Sequence, residues 1–186
     1  MRLLADPGIR LEHDGVCGLL FRAGAKHGAA PQTVRFPEPL VRDALARAPS
    51  EVFLADRREG GYTIAPEGRP ARMWSTPGMN IQRRGKTRRF TQDDMAAYAR
   101  LLDRLPLVDG VFGMSLTDAP PGAADVIGLG IMAANTAKHI RVLCASPTSA
   151  DTMCRMRPVL GDTPWFSVGF TAHGPLRWTH PALEIF

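Results

Sequence analysis

Two polar side chains stand where a layered α/β chain presents groups to a substrate. Asp118 follows the apolar run 107–116, and in α/β folds chemistry gathers at the C-terminal ends of strands. His173 lies just past a second run, 165–171, beside a Gly174-Pro175 turn that exposes its imidazole. Asp118 and His173 are therefore the candidate substrate-binding residues. The plainer role for Asp118 is to cap the loop before Pro120-Pro121.

Other constellations fail on spacing. Gly85-Lys86-Thr87 imitates the end of a phosphate-binding loop, but that pattern needs a glycine where Asn80 stands and a helix beginning at Thr87. Gly128-Leu129-Gly130 lies within a helical stretch with no strand and turn before it, so it is no dinucleotide fingerprint. The histidines are His13, His27, His139, His173 and His180. No two of them are spaced i and i+4, and no cysteine pair completes a zinc set, so no metal is expected. His139, just before a strand, reads as structural, and Cys144, inside an apolar strand, as a small buried hydrophobe. No Ser/His/Asp or Cys/His set can be assembled, and no catalytic residue is assigned.

The elements that position Asp118 and His173 follow from period and punctuation. Thr91 and Asp94 have the spacing of a capping box. Behind them Met95, Tyr98, Ala99, Leu102 and Leu105 mark one buried helix face, and Pro106 ends the helix. Strand and helix then alternate: strands over 108–116, 140–145 and 165–171, helices over 123–137 and 149–159. Such alternation predicts βαβ units and a parallel sheet. Upstream, a helix over 12–23 turns Val16, Leu19, Leu20 and Ala23 inward and stops at Gly24. Residues 33–36 are extended. A second helix, opened by Pro37 and Pro39, turns Leu40, Val41, Ala44, Leu45 and Ala48 inward as far as Pro49. Short strands follow over 51–55, 61–65 and 71–75, with turns at Gly60-Gly61 and Pro66-Glu67-Gly68. Residues 182–186 open a further helix. A small α+β region thus covers 1–90 and an α/β part covers 91–186.

Composition sets the outer bounds. Of 186 residues 45% are hydrophobic, which supports a buried core and excludes wholesale disorder. No run approaches about 18 apolar residues, so no membrane span is expected. The N-terminus lacks the apolar core of a signal peptide, and three cysteines without CxxC spacing suit free thiols in a reducing cytoplasm. The net charge is +5, carried by 20 Arg against 3 Lys, a skew that suits a GC-rich coding sequence. The basic residues cluster only in segment 83–89 (Arg83, Arg84, Lys86, Arg88, Arg89). No aromatic side chains interleave there for base stacking, so no nucleic acid is expected. The alternative reading makes this loop the contact of a non-catalytic module with an anionic partner.

The ordered segments resemble the trimethylamine methyltransferase family, which includes glycine betaine methyltransferases. The resemblance is carried by Leu3-Leu4-Ala5-Asp6-Pro7-Gly8-Ile9, by Phe21-Arg22-Ala23-Gly24-Ala25, and by Val34-Arg35-Phe36-Pro37-Glu38-Pro39-Leu40-Val41. It continues through Phe53-Leu54-Ala55-Asp56-Arg57, the turn Gly85-Lys86-Thr87-Arg88-Arg89-Phe90-Thr91, Thr136-Ala137-Lys138-His139 and Gly174-Pro175-Leu176-Arg177-Trp178. Two departures stand out. Asn80-Ile81-Gln82-Arg83 lacks an acidic residue often found there, and His173-Gly174 stands where the family carries a small residue.

The resemblance implies a TIM (β/α)8 barrel preceded by a small α+β region. It implies transfer of a methyl group from a tertiary or quaternary amine, such as trimethylamine or glycine betaine, to the cobalt of a corrinoid (cobalamin) carried on a partner protein. It also implies a cytoplasmic enzyme of methylamine metabolism and a possible homo-oligomer. A whole barrel takes about 250 residues, so a partial barrel of about three βα units, inactive by itself, is expected.

Overall fold

The computed structural model describes residues 1–65, 68 and 70–185; the Pro66-Glu67 part of the expected turn lies outside them. In chain order the elements begin α1 (Arg2–Ala5), β1 (Ile9–Leu11), α2 (Asp14–Arg22), β2 (Lys26–His27), β3 (Thr33–Arg35) and α3 (Glu38–Arg47). Two hairpins follow, β4 (Val52–Ala55) with β5 (Gly61–Ile64), and β6 (Asn80–Arg83) with β7 (Lys86–Arg89). Then come α4 (Gln92–Arg104), β8 (Gly110–Phe112), α5 (Ala124–Asn135), β9 (His139–Leu143), α6 (Pro147–Met156) and β10 (Phe166–Gly169). The chain finishes with β11 (Arg177–Trp178) and α7 (His180–Glu184). This is a mixed α/β protein with several small sheets, and no closed barrel forms among the described residues.

Packing divides the chain into one unit of Met1–Pro49 with Phe170–Phe186 and another of Ser50–Gly169. The C-terminal segment joins the first unit because β11 returns to pair in parallel with β1, Leu11 opposite Trp178. The first unit is the sheet β11-β1-β3-β2 with a core of Leu11, Cys17, Val34 and Leu183. Its strands are only two or three residues long and offer little face to cover. Accordingly α2 buries Cys17 and leaves Leu19 exposed, while α3 buries none of its expected stripe.

In the second unit β8, β9 and β10 form a parallel sheet in the order β10-β9-β8, as the alternation predicts. The capping box at α4 is complete: the Thr91 hydroxyl accepts from the Asp94 N–H, and the Asp94 carboxylate accepts from the Thr91 N–H at 3.0 Å. Met95, Ala99 and Leu102 are buried as expected, Tyr98 is half-buried, and Leu105 is exposed because it is already the C-cap. Burying each large apolar side chain of this layer stabilises the fold by about 1.5–3 kcal/mol.

Three extended segments differ from their sequence reading. The strand expected over 108–116 stops at Phe112, since Ser115 N–H turns to the Gly78 carbonyl (2.8 Å) and Thr117 N–H to Phe90 (3.2 Å). Segment 71–75 makes only a single bridge, Trp74 to Gly110. The basic segment 83–89 is the tip and second strand of a hairpin, turned by Arg84 (φ 50) and Gly85 (φ 76) in the left-handed region.

Candidate functional site

Alternation along parallel strands separates the sheet of the second unit into two faces. Val111, Ile140 and Phe166 are in register and face the helices, followed by Val142 opposite Val168. Phe112, Arg141 and Ser167 form the next row, which points to the other side together with Leu143. That second face is closed only near the start of the strands. There His139 is buried, its Nδ1–H donating to the Ala55 carbonyl (2.9 Å) and its Nε2 accepting from the Ser167 hydroxyl (3.1 Å). Burial is the main influence on this imidazole and pushes its pKa down, so the ring is neutral and structural. The Trp74 indole meets it edge-on at 5.7 Å. A Cβ on Gly110 would lie 2.9 Å from the same indole, so only glycine lets Trp74 lie against β8.

Beyond Trp74 the face opens into a cavity of ≈ 490 Å³, lined by Trp74, Phe112, Arg141, Ser167 and apolar residues of the β4–β5 hairpin. The Arg141 guanidinium lies 5.5 Å from the centre of the Phe112 ring. Among the described residues no carboxylate pairs with it. An exposed cation, two aromatic rings and a hydroxyl thus share one concave surface.

A second cavity, of ≈ 270 Å³, lies at the C-terminal ends of β8 and β9. It is mostly apolar, with Met95, Met114, Met132 and Leu116 in its wall, and Asp125 is its one ionisable lining residue. The Asp125 carboxylate is committed to the chain itself. It accepts from Val126 N–H (2.9 Å), the Ser149 hydroxyl (3.0 Å) and Ala145 N–H (2.9 Å). It therefore ties the loop after β9 to α5 and α6 and leaves little free acceptor for a ligand.

Asp118 is exposed on the loop after β8, and its carboxylate accepts from the Gln92 N–H (3.0 and 3.2 Å) at the first turn of α4. A negative charge there is favourable to the helix. His173 is exposed in the other compact unit, where its backbone N–H donates to the Arg177 carbonyl (2.8 Å). The two candidates do not belong to one unit, and neither lines either cavity. The three cysteines are free thiols. Cys17 and Cys144 are buried, and burial raises the pKa of both.

Aligned over 195 positions that take in the whole chain, the protein is 23% identical to trimethylamine methyltransferase MttB of Desulfitobacterium hafniense. The chain spans 39% of that protein's length. No protein-family model matches it. No helix among the described residues is long and apolar enough to cross a membrane.

Sequence reasoning missed Arg141 and Trp74. A signal for Arg141 was present: it is the one charged residue in the otherwise apolar run 140–145. Trp74 gave none, because its place depends on a single long-range bridge to Gly110.

Proposed function

We propose that this chain is the front part of a corrinoid-dependent amine methyltransferase and that its open sheet face belongs to the cavity holding the methylated amine. The observation that carries this reading is the likeness to the trimethylamine methyltransferase of D. hafniense along the entire chain. The parallel β8–β9–β10 sheet with helical crossovers supports a partial (β/α)8 barrel as its frame. In this reading the corrinoid is carried outside this chain. It arrives on a partner protein and supplies the cobalt that takes the methyl group.

The part played by this chain is to bind and orient. Phe112 and Trp74 offer ring faces to a methylated ammonium group. Arg141 repels a bare cation but pairs with a carboxylate, so the cavity favours an amine that also carries a carboxylate, as glycine betaine does. Asp118 positions the start of α4, and contact with the amine falls to the rings and the guanidinium.

Titration calorimetry of the chain with glycine betaine, trimethylamine and 3,3-dimethylbutyrate tests this. The last is the betaine's shape without its positive charge. Glycine betaine is expected to bind tightest, and Arg141→Gln to weaken it by about tenfold. Trimethylamine binding as tightly as the betaine, or no methylated amine binding at all, would remove the reading. Methyl transfer by the 186-residue chain with a corrinoid protein is expected to be absent; turnover would show that the chain needs no further barrel strands.

A further inference from the structure

The first compact unit brings together three side chains with the donor set of a transition-metal site: His13, His180 and Glu184. Their ligand atoms all lie within 4.8 Å of one another. His13 Nε2 is 2.9 Å from Glu184 Oε1, and His180 Nε2 is 3.9 Å from the same oxygen. Nothing in the methyl-transfer reading uses them.

The convergence follows from strand register. β1 and β11 are parallel neighbours with Leu11 opposite Trp178, and the Glu12 N–H donates to the Trp178 carbonyl at 3.0 Å, carrying the pairing past the strand ends. Two residues beyond that pair on each strand stand His13, the N-cap of α2, and His180, the first residue of α7. In parallel register equivalent positions point the same way. The imidazoles accordingly stack, with centroids 4.6 Å apart and planes 15° from parallel. Glu184 is one turn further along α7 and meets them from that helix. Buried Leu183 anchors the same helix in the core of the unit.

We infer that His13, His180 and Glu184 bind a divalent first-row transition metal, zinc above all, and that the metal clamps the β11–α7 return onto the start of α2. Two imidazoles and one carboxylate are a borderline donor set, suited to zinc rather than to magnesium or calcium. Zinc–ligand bonds of about 2.0–2.2 Å set tetrahedral donors about 3.3 Å apart. The distances from Glu184 to the two rings bracket that value; the near-parallel imidazoles hold their lone pairs side by side, so the exposed His180 ring turns out of the stack for both to meet the metal. Solvent supplies the fourth ligand. At present His13 Nδ1 accepts from the Val16 N–H at 3.3 Å, which leaves the proton on Nε2. Metal binding takes the other neutral tautomer, with the proton on Nδ1 in place of Nε2, so the long cap from the Val16 N–H is given up in exchange for the coordinate bond.

Cobalt(II) titration of the chelator-treated full chain tests the site through the visible bands of low-coordinate cobalt. Saturation at one equivalent is expected, with zinc displacing the cobalt and raising the thermal midpoint. His13→Asn keeps a good capping residue but removes the imidazole, and His180→Asn removes the second ligand. Each should weaken cobalt binding by about tenfold to a hundredfold or more. Absence of one-equivalent uptake by the unmodified chain overturns the proposal, and that result does not depend on any variant folding. Uptake that survives both substitutions places the metal elsewhere and overturns it equally.

Discussion

The two faces of the β8–β9–β10 sheet are built from alternate residues of the same strands, yet their surroundings differ completely. On one face Val111, Ile140 and Val142 are buried beneath the helical layer with Leu129, Met132 and Met153. On the other, one residue away in each strand, Arg141 and Leu143 are exposed and Phe112 is half-buried. The helical face is where the sheet gains its stability. The open face gains little, and so it is the one free to carry a cation and aromatic rings. A one-residue slip of register would exchange these roles throughout.

The sharpest way to break the contrast is to truncate both faces of β9. Ile140→Ala should destabilise the chain by about 2–4 kcal/mol, the transfer and cavity cost at a fully buried site. Leu143→Ala on the open face should change stability by no more than about 0.5 kcal/mol. Urea unfolding of the two variants compares them directly. Equal losses would mean that the open face is covered in solution.

Next in size is the joint that holds the α5–β9 connection to α4. The Asp103 carboxylate accepts from the Thr136 hydroxyl (2.8 Å), the Ala137 N–H (2.9 Å) and Arg58 (2.6 Å). Beside it Lys138 Nζ donates to the Leu102 and Leu105 carbonyls and so closes the C-terminal end of α4. Asp103→Ala should cost about 2 kcal/mol by leaving these donors without their acceptor. The pH dependence has a definite sign. Burial raises the Asp103 pKa, but the Ala137 N–H, the Thr136 hydroxyl and Arg58 outweigh it and hold the value below 3.8. The stabilisation is therefore complete above the unfolded carboxylate range and is lost as pH falls through the lower folded value. Unfolding curves of the wild type and Asp103→Asn should converge below about pH 4. A gap that stays constant with pH would exclude this carboxylate from the joint.

A smaller effect is expected where the sequence was most readable. Thr91→Ala should cost about 1 kcal/mol through loss of the cap on α4, measurable in the same unfolding series. The capping box, the apolar stripe behind it and the strand–helix alternation were legible because each is written in residues three or four apart. The β6–β7 hairpin was not. Its strands are almost wholly exposed, and its turn places Arg84 at φ 50 without the usual Asn-Gly or Asp-Gly pair. Arg88 looked like part of a solvated basic loop, yet it binds Asp94 and is the leading influence that lowers that carboxylate's pKa. β11 was invisible for a different reason, since two residues pair with a strand at the far end of the sequence. The same long-range pairing hid the meeting of His13 with Glu184, 171 residues apart. Asp118 was expected at the end of a strand that in fact stops at Phe112, and sequence position alone does not reveal that a helix N-terminus already holds its carboxylate.

A stability change as small as that of Leu143→Ala is expected at Arg141, and that is what gives the residue its weight. Its guanidinium is exposed and its contact is with the Phe112 ring at 5.5 Å, an interaction worth about 0.5–1 kcal/mol at exposed sites. In Arg141→Gln the remaining aliphatic stem still covers part of the ring, so the loss should be about 0.5 kcal/mol or less. A structural arginine and a ligand-binding arginine separate at this point. If the substitution lowers betaine affinity while stability stays level, the positive charge serves a ligand and not the fold. If stability falls as far as in Thr91→Ala, the stacked pair is holding β8 to β9, and the open face loses its claim to recognise a carboxylate.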